Sequence, residues 1–117
     1  MSQINVLFRV MKINDVISSK QRKQFRKIAH HLRPIVTLTD LEITEGASNE
    51  VIRAISDHEL IKVKIDIPEK KTRQDVAIKI SNSAEASLIQ TIGKCVVLYK
   101  PNPEPNPKLS NLLRYSF

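Results

Sequence analysis

Leu60-Ile-Lys-Val-Lys-Ile65 alternates apolar and basic residues, with Ile61, Val63 and Ile65 on one side and Lys62 and Lys64 on the other. A period of two is that of a strand with one buried and one wet face, so two lysines project from a single sheet face. Downstream, Ala86 to Ile92 and Cys95 to Lys100 flank Gly93-Lys94. Glycine at the first central position is what a two-residue type II′ turn requires, which predicts a strand hairpin with Lys94 at its tip. Upstream, Ile35 to Thr39 is short and β-branched and reads as a further strand, followed by a loop over Asp40 to Glu42.

Helical spacing fills the gaps between these strands. Phe25, Ile28, Ala29 and Leu32 fall at i, i+3, i+4 and i+7, Ser18 and Gln21 have capping-box spacing, and Pro34 ends the segment. Thr44 can cap a second helix running to about Asp57, with Ile43, Ala47, Val51, Ala54 and Ile55 on one stripe. Gly46, Ser48 and Asn49 weaken that helix without forbidding it. Pro68 and Glu69 suit the first turn of a third helix reaching about Ser81, with Val76, Ala77 and Ile80 inward. The order helix, strand, helix, strand, helix, strand, strand predicts a single compact α/β domain with three helices and one mixed four-stranded sheet. A length of 117 residues suits one core and is too short for two.

Nineteen Lys and Arg against twelve Asp and Glu give a net charge of +7, which favours a polyanionic partner. Residues 1–39 hold eight basic residues and one acid, residues 40–61 one and six, and residues 62–117 ten and five. No acid lies between Asp15 and Asp40, where Lys20, Arg22, Lys23, Arg26, Lys27 and Arg33 crowd together. On the predicted first helix, Lys20, Lys23, Lys27 and His30 lie opposite the apolar stripe, and Arg22, Arg26 and Arg33 lie on one flank. Solubility helices usually mix both signs, so the absence of acids favours an anion-facing element over a merely solvated face. Lys70, Lys71 and Arg73 at the start of the third helix, and Lys94, are the other candidate contacts.

No constellation for catalysis emerges. His30 and His31 are adjacent on a helix and point about 100° apart, so they cannot grip one ion as an i, i+4 pair would. The lone Cys95 excludes an internal disulfide and a cysteine-based zinc site, and in an apolar strand it behaves as a small hydrophobe. His58-Glu59 at a helix-to-strand junction suits a surface turn better than an acid/base pair. Phosphate-binding, dinucleotide and serine-hydrolase glycine motifs are missing, as are zinc-finger spacing and the aromatic signature of RNA-recognition motifs. The chain is therefore expected to be neither an enzyme nor dependent on a metal or cofactor. Apolar runs are far shorter than the ~20 residues of a membrane span, and Met1 to Val10 lacks the basic start and apolar stretch of a signal peptide. A monomer in the reducing cytoplasm, with no membrane partner, is the expectation.

Four blocks carry a family resemblance: Ser19-Lys-Gln-Arg22, Ala29-His-His-Leu-Arg-Pro-Ile-Val36, His58-Glu-Leu-Ile-Lys-Val-Lys-Ile65 and Gln90-Thr-Ile-Gly-Lys-Cys-Val-Val-Leu-Tyr-Lys-Pro101. In this order and spacing they resemble the YhbY-type single CRM domain, the chloroplast RNA splicing and ribosome maturation module. The resemblance implies an RNA-binding α/β domain over 17–101, preceded by an extension over 1–16 and followed by a proline-rich tail over 102–117. It also implies a fold similar to the C-terminal domain of bacterial translation initiation factor three, and a role with large-subunit ribosomal RNA or its precursor. Cytoplasmic ribosomal proteins are further candidate partners, through the acidic 40–59 segment of a protein-interaction module with reduced RNA affinity.

One departure stands out. The family carries a G-x-x-G loop after its first strand, and the equivalent residues here are Thr39, Asp40, Leu41 and Glu42. Without glycine the backbone approaches RNA less closely, and two carboxylates repel phosphate. RNA contact must then rest on the first helix, Lys70, Lys71, Arg73 and Lys94. In the tail, proline at every second position from Pro101 to Pro107 precludes a regular ladder. Leu112, Leu113, Tyr115 and Phe117 are compatible with docking on the body and equally with binding a partner.

Overall fold

In the computed structural model of the chain, residues 17–115 are described. The elements run α1 (Ser19–His30), β1 (Pro34–Leu38), α2 (Glu45–His58), β2 (Leu60–Ile65), α3 (Lys70–Ser83), β3 (Ser87–Ile92), β4 (Cys95–Tyr99) and α4 (Asn111–Arg114). The extension expected over 1–16, and Phe117, lie outside the described residues. The four strands form one mixed sheet in the order β1-β2-β4-β3, with β1 parallel to β2 and the other neighbours antiparallel. This is the α/β domain expected from the sequence, with one helix more. Four residues make a single turn, too short for a hydrophobic period to show, so α4 leaves no periodic signature.

Local chemistry sets the element ends. The Ser18 hydroxyl accepts from the Gln21 N–H while the Gln21 side chain accepts from the Ser18 N–H, the capping box anticipated for α1. Thr44 caps α2 through the Ala47 N–H. The third helix starts later and ends later than its sequence pattern indicates. Glu69 is the N-cap and takes a hydrogen bond from the Thr72 hydroxyl. At the other end, the Ser81 hydroxyl donates to the Ala77 carbonyl at 2.7 Å, so this polar residue stays inside the helix. Glu85 then takes the left-handed conformation (φ 52°), and the Ala86 N–H closes on the Ser81 carbonyl at 2.8 Å. In the hairpin, Gly93 has φ 55° and Lys94 does not share the positive sign, as a type II′ turn demands.

Alternation in β2 divides the molecule into layers. Ile61, Val63 and Ile65 join Val36, Leu38, Val96 and Leu98 on one sheet face, packed by Val51, Ala54 and Ile55 of α2 and Val76, Ala77 and Ile80 of α3. Each fully buried aliphatic side chain there stabilises the fold by roughly 1.5–3 kcal/mol. The opposite face carries Leu60, Ile89 and Val97 beneath Phe25, Ile28 and Ala29 of α1, with Tyr99, Leu112 and Tyr115 at the margin. Lys62, Lys64 and Cys95 on this second face are half-buried.

The tail folds back on the body through polar contacts at the α2–β2 junction. Glu59 is buried at 6% exposure, and its carboxylate accepts from the Ser110 hydroxyl and from the Asn102 N–H at 2.8 Å. Nearby, Asn111 Nδ2 donates to the Leu60 carbonyl at 2.7 Å, Asn102 Nδ2 donates to the Ser56 carbonyl at 2.8 Å, and His58 Nδ1 lies 2.8 Å from the Leu109 carbonyl oxygen. Glu59 is thus an internal anchor, and the surface turn read from His58-Glu59 is corrected. Docking on the body is the outcome for Leu112 and Tyr115, while Leu113 is exposed.

Candidate nucleic-acid interface

The α1 helix crosses one end of the sheet. Near its start the Arg22 guanidinium reaches the carbonyls of Leu88 and Ile89 in β3 at 3.4 and 3.2 Å. One turn on, Phe25 packs on Tyr99 of β4 with ring centroids 4.6 Å apart, and beyond His31 the chain enters β1. Burying Phe25, Ile28 and Ala29 turns Lys20, Lys23, Arg26, Lys27 and His30 outward, all exposed. None of the four Lys and Arg side chains forms an ion pair with a described residue. The helix therefore presents a cationic ridge with no neutralising carboxylate along it among the described residues. Arg22 differs from them, since its guanidinium is held by the sheet edge.

The sheet floor beyond α1 continues this surface. Cross-strand pairing puts Thr37, Lys64, Cys95 and Ile92 on one face, with Lys62 and Gln90 beside Val97. Leu60 and Val97 lie under α1, but Ile92 is 47% exposed and Lys62, Lys64 and Cys95 are half-buried. Cys95, read from its apolar strand as a small hydrophobe, is thus only half-buried. Lys62 and Lys64 were legible as a projecting pair. That α1 leaves them partly open was not, because alternation does not tell which part of a face a helix covers.

The other candidates gather at the far end of the sheet. Lys70, Arg73 and Lys94 line a cleft of about 480 Å³ between the start of α3 and the β3–β4 turn, floored by Ile65, Ala77 and Val96. Lys71 is exposed on the first turn of α3 and does not line it. Two of the three cations are engaged. Arg73 donates to the carbonyls of Ile67 and Pro68 at 2.8 and 2.7 Å, and Lys94 Nζ lies 3.1 Å from Asp66 Oδ1. The Lys94 hydrogen bond and charge, with Lys64 adding to them, hold the Asp66 carboxyl below the usual carboxylate range.

Thr39, Asp40, Leu41 and Glu42 lie at this same end, since the Asp66 N–H donates to the Leu38 carbonyl at 2.7 Å. Asp40 and Glu42 sit beside Thr44 and Ala47 at the first turn of α2, where negative charge is favoured by the free N–H groups of the helix. Arg33 stands apart from both groups. With Lys62, Arg114, His31, His58 and Tyr115 it lines a cleft of about 300 Å³ between the end of α1 and α4. Among the described residues, no group of three or more His, Cys, Asp or Glu could hold a metal ion, and no helix is long and apolar enough to cross a membrane.

Comparison with known proteins bears on this geometry. The family described as CRS1 / YhbY (CRM) domain matches residues 17–100. The chain belongs to the CRS1 / YhbY (CRM) family. A probable RNA-binding protein of Pseudomonas aeruginosa is 39% identical to this CRM chain over 100 residues, covering 86% of it and 96% of the relative. An RNA-binding protein of Haemophilus influenzae is 39% identical over 93 residues, 80% of this chain and 94% of its own. The solution structure of a hypothetical protein from Staphylococcus aureus superposes on the CRM fold with a TM-score of 0.64 at 26% identity, covering 74% of this chain and 91% of that one.

Proposed function

We propose that this chain is a non-enzymatic RNA-binding protein that engages large-subunit ribosomal RNA, or its precursor, during ribosome assembly in the cytoplasm. The observation that carries this reading is the α1 ridge, where Lys20, Lys23, Arg26, Lys27 and His30 are exposed with no acid among them. Such a surface attracts phosphates through released counterions and reads backbone shape more than base sequence. Relatives that are named RNA-binding proteins support RNA as the polyanion. Lys62 and Lys64 extend the path onto the sheet, and Lys70, Lys71 and Lys94 offer a second contact at its far end. Residues 17–101 form the binding unit of a monomer, and the described part of the tail, 102–115, clamps it.

The test is sedimentation of the native protein through a ribosome gradient at low and moderate salt, with purified-chain binding to ribosomal RNA alongside. Comigration with large-subunit precursors that falls as salt rises, together with direct RNA binding, is the expected result. Lys23→Glu with Lys27→Glu should weaken binding and lower the slope of log affinity against log salt by about 1.8, two phosphate contacts at ~0.9 each. An unchanged slope removes α1 from the interface. Absence of RNA affinity, with a stable complex to a basic ribosomal protein in RNase-treated extract, would instead favour the acidic side. Asp40, Glu42, Glu45 and Glu50 are exposed there.

A further inference from the structure

The cleft between the end of α1 and α4 is built for an anion with an attached ring. Its cations come from three separate elements: Arg33 after α1, Lys62 in β2 and Arg114 in α4. Among the described residues no carboxylate lines it. Of the two acids that flank His58 in sequence, Glu59 is buried against Ser110 and Asn102, and Asp57 is half-buried at the end of α2. The β1–β2 register shifts between Pro34 and Val36, and Pro34 has no N–H to offer the ladder, so the sheet is irregular where the cleft opens. Leu32 and Ile61 supply apolar contacts. The Tyr115 ring closes one side, nearly parallel to the His31 ring (11°, centroids 6.4 Å apart), with the Arg114 guanidinium 5.7 Å from its centroid.

We infer that this cleft takes one nucleotide step of single-stranded RNA, with its phosphate among Arg33, Lys62 and Arg114 and its base against Tyr115. The inference rests on the RNA reading above and adds the strand form and the place. A volume of about 300 Å³ is at the small end of ligand clefts and far too small to admit a helix. A lone phosphate needs cations only, whereas the cleft also offers a ring and apolar wall, the combination by which single strands are held without sequence preference. The convex α1 ridge suits a structured RNA surface. The cleft, reached through Arg33 at the end of the same helix, suits an unpaired nucleotide beside it. The tail then has a purpose in binding, because the Glu59, Ser110 and Asn111 contacts are what hold Arg114 and Tyr115 over β2.

The experiment measures binding of fluorescent oligouridine and of a hairpin RNA duplex to the full chain. Tyr115→Leu keeps apolar bulk and should weaken oligouridine binding about fivefold or more, while hairpin binding changes by less than about twofold and Tyr115→Phe behaves as wild type. Arg114→Gln, at an exposed side chain that the fold does not need, should lower the salt slope for oligouridine by about 0.7. Hairpin binding without oligouridine binding, or equal loss of both probes in Tyr115→Leu and no slope change in Arg114→Gln, overturns the cleft and leaves the RNA reading standing. Competition by an aspartate-glutamate peptide as strong as that of unlabelled oligouridine also overturns it, in favour of an acidic polypeptide. Binding of neither RNA by the wild-type chain overturns both readings.

Discussion

Glu59 closes the molecule, and its replacement separates two energies that act at one position. Its backbone has φ 62° and ψ −44°, a conformation that disfavours any residue with a Cβ. Its carboxylate is 6% exposed and accepts from Ser110, itself 0% exposed, and from the Asn102 N–H. Hydrogen bonds to a charged group are worth about 1.5–3 kcal/mol each, but the Asn102 N–H is only part-buried and recovers water once released. Glu59→Ala should therefore cost about 2–4 kcal/mol, with the strain untouched. Glu59→Gly loses the same bonds but relieves a backbone penalty of about 1 kcal/mol, so it should lie above alanine by that amount. Urea unfolding followed by far-ultraviolet circular dichroism reads both, with midpoints lowered by roughly 1–2 M for alanine at typical slopes for small proteins. Native-state hydrogen exchange should also show the amides of α4 opening before those of the sheet. Alanine within about 0.5 kcal/mol of wild type, or glycine no better than alanine, refutes the anchor.

Gly93→Ala should cost about 1 kcal/mol, seen as a lower unfolding midpoint, because φ 55° is penalised with a Cβ while open space around the position rules out a clash. Asp66 should titrate below an ordinary aspartate by NMR, and Lys94→Ala should bring it back toward the usual value. The sign follows from its lowered folded pKa: the Lys94–Asp66 contact stabilises above the unfolded aspartate pKa of ~3.9 and is lost as pH falls through the folded value. Tyr99 is raised by burial and by the Glu59 charge, so ultraviolet titration should show it ionising above an ordinary tyrosine. Its contribution is present below the unfolded tyrosine pKa of ~10 and disappears as pH climbs through the higher folded value.

Local patterns were legible because they are local. The period of Leu60–Ile65, the Ser18–Gln21 capping pair and Gly93 each specify their own geometry within a few residues, and each is found as written. The polar anchor was not legible, since Glu59 meets Asn102 and Ser110 across 43 and 51 residues of sequence. A charged residue at a helix-to-strand junction carries no mark of such burial. The same limit applied to the cations. Sequence identified which positions are basic, but not that Arg22 and Arg73 would bind backbone carbonyls while Lys62 and Lys64 would stay beside the ridge. Helical periodicity gives a face, and only the packed sheet tells what that face adjoins.

The charges are organised along the strands, and this gives the loop that lacks glycine a physical context. At the β1–β2 carboxyl end, Asp40 and Glu42 accompany the first turn of α2, and Lys94 is paired with Asp66. Cations at that end are offset by acids close at hand. At the opposite end, α1, Arg33, Lys62 and Arg114 surround the sheet, and the nearby acid Glu59 is buried and fully hydrogen-bonded to the tail. Within a Debye length of about 8 Å at physiological salt, a phosphate at the loop end meets these carboxylates, while one on α1 itself meets a helix that carries no acid. Restoring glycine at Glu42 should therefore raise RNA affinity chiefly by removing a carboxylate. Glu42→Gln should then recover most of the gain of Glu42→Gly in the same binding assay. A gain confined to glycine would show that backbone approach, and not charge, limits this loop.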